Sequence, residues 1–509
     1  MGRTNSELPI HAPNIPMMKS TLFLEAMRSP DLTKEEREAF QYILSARSVP
    51  SQNKTITSFP PTAMFQKDYI LMVQNDIIER ALVDDSNRPL KGHFGYVFTV
   101  VELLKHRRRV VIDTLSMNTL CPDPPNPNFT PLNRLKRIVF KGSHACTFDM
   151  KCMYFQIPLA PEVRNAFTFR GTDNQYYRFK RCPMGFKWSV VIAQAIMRFL
   201  VSKMTANVSI EIYVDNVLFV GSKDEVTKAR QEFISVCAEY NATIGDLGEV
   251  QTTATYRGMV LDFTLKTVSL ADSFIHKLKQ RLSAREPTWC DTKALISTIV
   301  YAMTIRSELY SIYHLLKCLA RNALVKPKQH VKLWKEAQQD FEKAFQLITS
   351  NVPVKPVSPH SRVAVVTDAS TQHSIIAGII VTTQGKIITV VEKAGVYESI
   401  NDLEAQAFYM TLRQGEHYLH HKRLWYFGDN TSVLSTLQSG MSRSFHLNMW
   451  IGRILMRMTN ISSYCEYLTY LPSASNPADA PSRRERLSSH HSRVLTDICN
   501  RLRLSKGVE

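Results

Sequence analysis

Two β-rich runs, Ser209–Val214 and Val217–Val220, are separated only by Asp215-Asn216. That spacing leaves room for little but a hairpin with a two-residue turn, and Asp and Asn tolerate the positive φ such turns require. The hairpin would carry a carboxylate at its tip. Ala145–Phe148 reads as another strand, ending in Asp149. A carboxylate at a strand end and one at a hairpin tip can converge on one face of a sheet. There they would hold Mg²⁺, which takes one or two protein carboxylates plus substrate phosphates. Spacing alone does not establish this, because aspartates in turns are usually turn formers.

A chain of 509 residues exceeds a single hydrophobic core and favours several domains. Residues 1–65 are rich in Pro, Ser and Thr, with one helix around Lys34–Ala46, and read as an N-terminal arm with weak structure of its own. Residues 66–265 mix short β-type runs with helices. Residues 266–352 read as helical, with apolar positions spaced through Phe274–Leu282, Ala294–Leu316 and Trp334–Leu347. Pro353, Pro356 and Pro359 mark a linker, since repeated Pro disfavours helix and sheet alike. A new α/β pattern occupies 353–487, and 488–509 reads as a C-terminal tail.

The net charge of +18, from 63 Lys and Arg against 45 Asp and Glu, suits a polyanionic partner, because displaced counterions drive binding to phosphate backbones. An acidic membrane surface or a ribosomal contact would fit the charge as well. The longest apolar helical stretch, Ala294–Ile305, is too short to span a bilayer. No secretory signal is visible, and Met1-Gly2 with Ser6 fits a myristoylation pattern that an ordinary polar start satisfies equally. The nine cysteines include no C-x-x-C pair and no zinc-ligand spacing, which predicts an intracellular, reducing compartment (cytoplasm or nucleus) and no structural zinc. His417, His420 and His421 read as exposed surface at a helix end.

A second set of acids lies beyond the linker. Val363–Thr367 is an alternating strand ending at Asp368, with Ile375–Thr382 as hairpin partner. Glu404 follows the caps Ser399 and Asn401, and Leu424–Phe427 leads to Asp429, with a helix through Thr431–Leu437 stopped by Gly440. Asn476-Pro477 reads as N-cap plus first helical position, which puts Asp479 in a first turn. Four carboxylates at element ends of one domain would repel strongly, and a pair of divalent cations is the natural compensation. Four unrelated surface acids are the alternative.

In order along the chain, these residues resemble reverse transcriptases joined to ribonuclease H. Arg107–Asp113 with Asn118 is similar to the fingers motif that grips the incoming nucleotide, with Arg109 as triphosphate ligand. Phe148-Asp149-Met150-Lys151 and Tyr154–Leu159 resemble palm motif A, with Asp149 a metal ligand and Tyr154 the ring that blocks a ribose 2′-hydroxyl; otherwise Tyr154 is a core tyrosine. Cys182–Lys187 with Ser189 and Gln194 resembles motif B, which brings Met184, Gly185 and Lys187 to the substrate. Tyr213–Asn216 matches motif C, and Arg257-Gly258 the primer grip; Trp334–Ala337 with Phe341 resembles the thumb and connecting segment. Thr367–Ser370, Leu403–Ala405, Gly428–Asn430 and Asn476–Asp479 with Ser482-Arg483 resemble the retroelement ribonuclease H signature. The stretch from Asp429 through Gly440, Ser442 and Leu447 is similar to tyrosine-recombinase (DIRS-like) retrotransposons, with trypanosomatid VIPER elements among the relatives.

The resemblance implies an α+β multidomain chain: a right-hand polymerase of fingers, palm and thumb, followed by an RNase H-like mixed α/β domain. It implies an RNA template, a DNA primer, an RNA–DNA hybrid and deoxynucleoside triphosphates as partners, and no membrane. Each site would take two Mg²⁺, with Mn²⁺ as a substitute, on Asp149 and Asp215 in one and on Asp368, Glu404, Asp429 and Asp479 in the other. The sequence departs from the family at Asn216, where a second aspartate is usual, and the ribonuclease loop has Ser473 and Ser475 where a histidine often assists. A domesticated, polymerase-dead binding protein that keeps its nuclease is therefore the alternative reading.

Overall fold

The computed structural model describes residues 8–45, 64–85, 89, 95–102, 105–282, 287–306, 308, 312–322, 324–356, 361–439, 442 and 444–504. Met1, Gly2, Ser6, Ala46, Pro359 and Gly440 lie outside them. The chain forms two compact units, residues 1–129 with 142–251 and residues 130–141 with 252–509.

The centre of the first unit is an antiparallel sheet in the order Ser209–Tyr213, Asn216–Gly221, His144–Met150, Ile244–Leu247. Behind it pack helices Ser189–Ser202 and Lys223–Glu239. The latter starts where the Ser222 side chain accepts from the Glu225 N–H, and buries Val226, Ala229, Phe233 and Val236, the i, i+3, i+7 spacing of one face. Phe233 meets Phe148 and Phe219 of the sheet with ring centres 4.9 and 5.5 Å apart. A second, two-stranded ribbon pairs Tyr96–Glu102 with Arg107–Asp113.

Within the expected N-terminal arm, residues 8–45 are structured rather than weakly so. Helices Ser20–Ala26, Lys34–Ala39 and Gln41–Leu44 bury Leu22, Phe23, Phe40 and Ile43 in the same core as the sheet. Thr33 and Glu36 form a capping box, and the single helix expected over 34–46 breaks at Phe40. Ahead of the helices, Ile10 bridges Arg108 in parallel, the Met18 N–H donates to Gln156 O at 2.8 Å, and the Lys19 N–H donates to Tyr240 O at 3.0 Å. Averaging the composition over 65 residues hid this apolar segment beside a Pro-rich one.

The second unit begins with the three-stranded sheet Thr253–Tyr256, Met259–Asp262, Thr267–Leu270, and continues as helices Asp272–Leu282, Trp289–Ile305, Tyr313–Arg321 and Lys335–Ser350. The apolar stretch 294–316 thus belongs to two helices, the first ending at Arg306. A five-stranded mixed sheet follows, ordered Ile387–Lys393, Ile375–Thr382, Ser361–Ser370, Lys422–Gly428, Tyr464–Tyr470. The first three strands are antiparallel and the last two run parallel to Ser361–Ser370. This central strand is covered on both faces, so Val363–Asp368 is buried continuously rather than in alternation. The expected tail is instead helix Ser489–Leu504, whose Leu495, Ile498, Cys499 and Leu502 pack beneath Ala364, Val366 and Ile379. Its apolar residues recur at i, i+3, i+4 and i+7, a helical period that many polar neighbours obscure. Among the described residues no helix is long and apolar enough to cross a membrane, and all nine cysteines are free.

Candidate active sites

Asp149 stands opposite Asn216 on one neighbouring strand and opposite Asp246 on the other. Because paired residues share a face, the three form a row across the sheet. Asp215 joins it from the hairpin tip, where its carbonyl accepts from the Met150 N–H at 2.9 Å. The two turn residues are Val214 and Asp215, one earlier than expected, with Tyr213 paired to Asn216. Val214 takes the positive φ, +59°, a costly conformation for a β-branched residue. Gln194, buried on the helix behind, holds it there: its Oε1 accepts from the Val214 N–H at 2.8 Å, and its Nε2 donates to Ile212 O at 3.3 Å. Burial, then the nearby Asp215, pushes the Asp149 carboxyl up to about 6. Burial likewise raises Asp215, against hydrogen bonds from its own backbone and from Asn216, whose Nδ2 donates to Asp215 Oδ1 at 3.1 Å.

Most of the residues expected on the substrate side gather around the strand Arg107–Asp113. Arg109 pairs with Glu102 at 2.7 Å, touches Met184 Sδ at 3.9 Å and favours the charged form of Asp215. The Ile112 N–H donates to Met184 O at 3.0 Å, and Gly185 follows at φ +120°. A Cβ on Gly185 would fall 1.9 Å from the Ile112 carbonyl oxygen, so only glycine fits this crossing. Thr114 and Asn118 donate to Gly185 O at 3.1 and 3.0 Å. Lys187 is committed to Cys121 O at 2.7 Å and Asp123 at 2.8 Å rather than held free for a ligand. Tyr154 is only partly buried; burial raises its phenol, and Asp215 and Arg109 are among the charges that act on it. It therefore borders the acid row while its ring packs on the core.

In the second unit, carboxylate oxygens of Asp368, Glu404 and Asp429 lie within 4.8 Å of one another. Asp368 sits in the central strand, Glu404 on helix Ile400–Gln414 capped by Ser399, and Asp429 just past the strand Lys422–Gly428. Asn401, read as a cap, lies inside that helix and accepts from Asn430 Nδ2 at 2.8 Å. Asp368 accepts from Ser482 Oγ, while Asn476 Nδ2 donates to Thr367 O at 2.9 Å, so the segment 476–482 is tied to the strand. Ser473 Oγ donates to Asp429 Oδ2 at 2.6 Å. Asp479 stays outside the three-oxygen group: it opens helix Asp479–Ser482 and pairs with Arg483 at 2.8 Å, yet its charge reaches Asp368. Burial, then neighbouring acids, pushes Asp368 to about 6 and Glu404 to about 9. Three hard oxygen donors, two of them deeply buried, fit Mg²⁺ or Mn²⁺ far better than a soft cation.

Asp246 and His490 went unnoticed in the sequence. The first stands beside Asp149 only through strand register; the second, on the helix read as a tail, has Nε2 3.3 Å from Ser475 Oγ.

Residues 104–246 match the family model described as reverse transcriptase (RNA-dependent DNA polymerase), which makes this stretch a reverse transcriptase domain. No curated protein sequence matches the chain. Among solved structures, a foamy viral protease-reverse transcriptase dRH in complex with ds DNA is similar at TM-score 0.50 and 12% identity, over 90% of this chain and 84% of that one. A foamy viral protease-reverse transcriptase in complex with RNA/DNA hybrid gives TM-score 0.48 and 13% identity, over 90% and 64%. At such identities the first likeness speaks for the fold alone.

Proposed function

We propose that the chain is a retroelement RNA- and DNA-directed DNA polymerase with ribonuclease H activity, nearest to the DIRS-like group. The observation that carries the reading is Asp149 beside Asp215, the first on a palm-like strand opposite Asn216 and the second at the tip of the adjoining hairpin, inside a stretch that matches the reverse transcriptase family. Asp149 and Asp215 would hold metal at the first site; Asp368, Glu404 and Asp429, joined by Asp479 once it leaves Arg483, would hold it at the second. Divalent cations there supply charge neutralisation for the attacking and leaving oxygens.

At the first site the primer 3′-oxygen attacks the α-phosphorus of a deoxynucleoside triphosphate, a new P–O bond forms and pyrophosphate departs. Arg109 offers its fork to the triphosphate, exchanging Glu102 for phosphate oxygens. The crossing at Gly185 fixes the floor beneath the incoming nucleotide, and Gln194 fixes the tip that carries Asp215. At the second site water attacks an RNA phosphodiester of the hybrid and a 3′-hydroxyl leaves. Ser482 and Ser473 orient Asp368 and Asp429 for it. The +18 charge favours the nucleic-acid strands both reactions need. Primer extension on an RNA template, in Mg²⁺ and in Mn²⁺, tests the reading; no extension in either would remove the polymerase.

Tyr154→Ala is expected to raise incorporation of ribonucleotides relative to deoxyribonucleotides by about tenfold or more, since one lost steric contact is worth that much discrimination. An unchanged ratio returns Tyr154 to core packing.

The second reading, a polymerase-dead protein that keeps its nuclease, is favoured by Asn216 donating to Asp215 where a further carboxylate would stand. A neutral amide is a weaker ligand for a hard cation. If Asp149 and Asp215 suffice for a slow or Mn²⁺-preferring enzyme, Asn216→Asp should speed Mg²⁺-supported extension about tenfold, with hybrid cleavage unchanged. A wild type that is fast in Mg²⁺ and slowed by the change would show Asn216 to be adapted to this site.

A further inference from the structure

Away from both acid sites, the second unit forms a partly open pocket with an inner space of about 120 Å³. Its walls are largely apolar, with Val268, Leu437, Leu455, Met458 and Leu468 among them. Arg134, Lys136, Arg137, Arg306 and Lys355 also line it, and among the described residues no Asp or Glu does. We infer that this cavity is a binding site for a small amphipathic anion: a carboxylate, sulfonate or phosphate group on an aromatic or short acyl body.

Cations set among apolar walls are costly unless an anion answers them. Lys136 is 8% exposed and donates to the Ile305 carbonyl at 3.3 Å; burial brings its ammonium down to about 8. Arg306 is 6% exposed. Its Nη1 donates to Val352 O at 3.0 Å and its Nη2 lies 3.5 Å from Glu308, but its buried Nε has no partner. Arg137 lies over the Tyr464 ring, 3.2 Å from its centre. Glu466, two residues along that strand, is taken by Arg362, Arg423 and Trp425 at 2.8, 3.4 and 2.9 Å. The site therefore lines one space with donors and positive charge together with soft apolar surface, Tyr464 and methionine included. A ligand with one anionic group and a flat or flexible apolar body answers both.

The test uses the full chain and 8-anilinonaphthalene-1-sulfonate, whose emission rises when it leaves water. One saturable site is expected, with 2-naphthoate displacing the dye at least about tenfold better than neutral 2-naphthalenemethanol, the margin of a charge-assisted hydrogen bond. Lys136→Met and Arg306→Met should each weaken dye binding by about tenfold or more, and Lys136→Met should not lower the thermal midpoint, because it removes a buried charge. Lys355 is exposed, so Lys355→Met leaves the fold intact and should weaken binding several-fold, roughly as a rim charge does. Equal displacement by the anion and the alcohol, or affinities within about twofold of wild type in every folded variant, would overturn the inference and leave an apolar crevice.

Discussion

Asp429→Asn should abolish cleavage of RNA in a hybrid, by on the order of a thousandfold or more, while primer extension continues near its wild-type rate. Asp149→Asn should do the opposite. The size follows from where the carboxylates lie. Asp429 is one of three acids whose oxygens fall within 4.8 Å, and the change leaves Asp368 and Glu404 with only a neutral amide oxygen as third donor. Asp149 is the centre of its row, with a neighbour on each flanking strand. The independence follows from the division of the chain, since the two acids belong to different compact units with separate cores. Both substitutions are nearly isosteric, so circular dichroism should be unchanged. Loss of both activities from either change, with the fold intact, would sink the two-site reading.

Asp68→Ala should destabilise the first unit by about 3–5 kcal/mol, the cost of leaving a buried charge without its partner. Arg108 is fully enclosed and Asp68 nearly so. The guanidinium donates to both carboxylate oxygens at 2.9 and 3.0 Å, and its Nε donates to Leu8 O at 2.7 Å. For a unit of this size the thermal midpoint should fall by roughly 6–20 °C. The double change Asp68→Leu with Arg108→Met removes both charges, and should be markedly more stable than Asp68→Ala alone. If the double variant is as unstable as the single one, packing rather than the ion pair holds this region. Because Arg109 is the next residue on the same strand, extension should fail in parallel with the melting of this segment.

Among the candidate acids, Asp149, Asp215 and Asp429 were legible because each lies at or next to the end of a short β element, whereas Asp368 and Glu404 lie inside theirs. Asp215 follows five strand residues, and Asp368 lies in a β-branched run. What the sequence could not show is contact across long separations. Asp246 meets Asp149 from nearly a hundred residues away, and Ser482 reaches Asp368 from farther still. The turn was displaced by one residue for a related reason. Local propensity gives positive φ to Asp or Asn, but Gln194, on the helix packed behind the hairpin, holds it at Val214. Asp479 had the right motif, yet Arg483, one helical turn on, holds its carboxylate away from the other three.

The segment from Leu8 to Lys19 has its partners at Arg108, Gln156 and Tyr240. A ribosome emits the first of these residues long before the last, so this segment must wait, unsatisfied, until most of the unit has emerged. Pairings so far apart in sequence close slowly, and the delay exposes Leu22, Phe23 and Phe40 to mispairing or to chaperones. A polypeptide cut to the family-matched span 104–246 would lack that segment altogether, and its expected fate is aggregation rather than a small working polymerase.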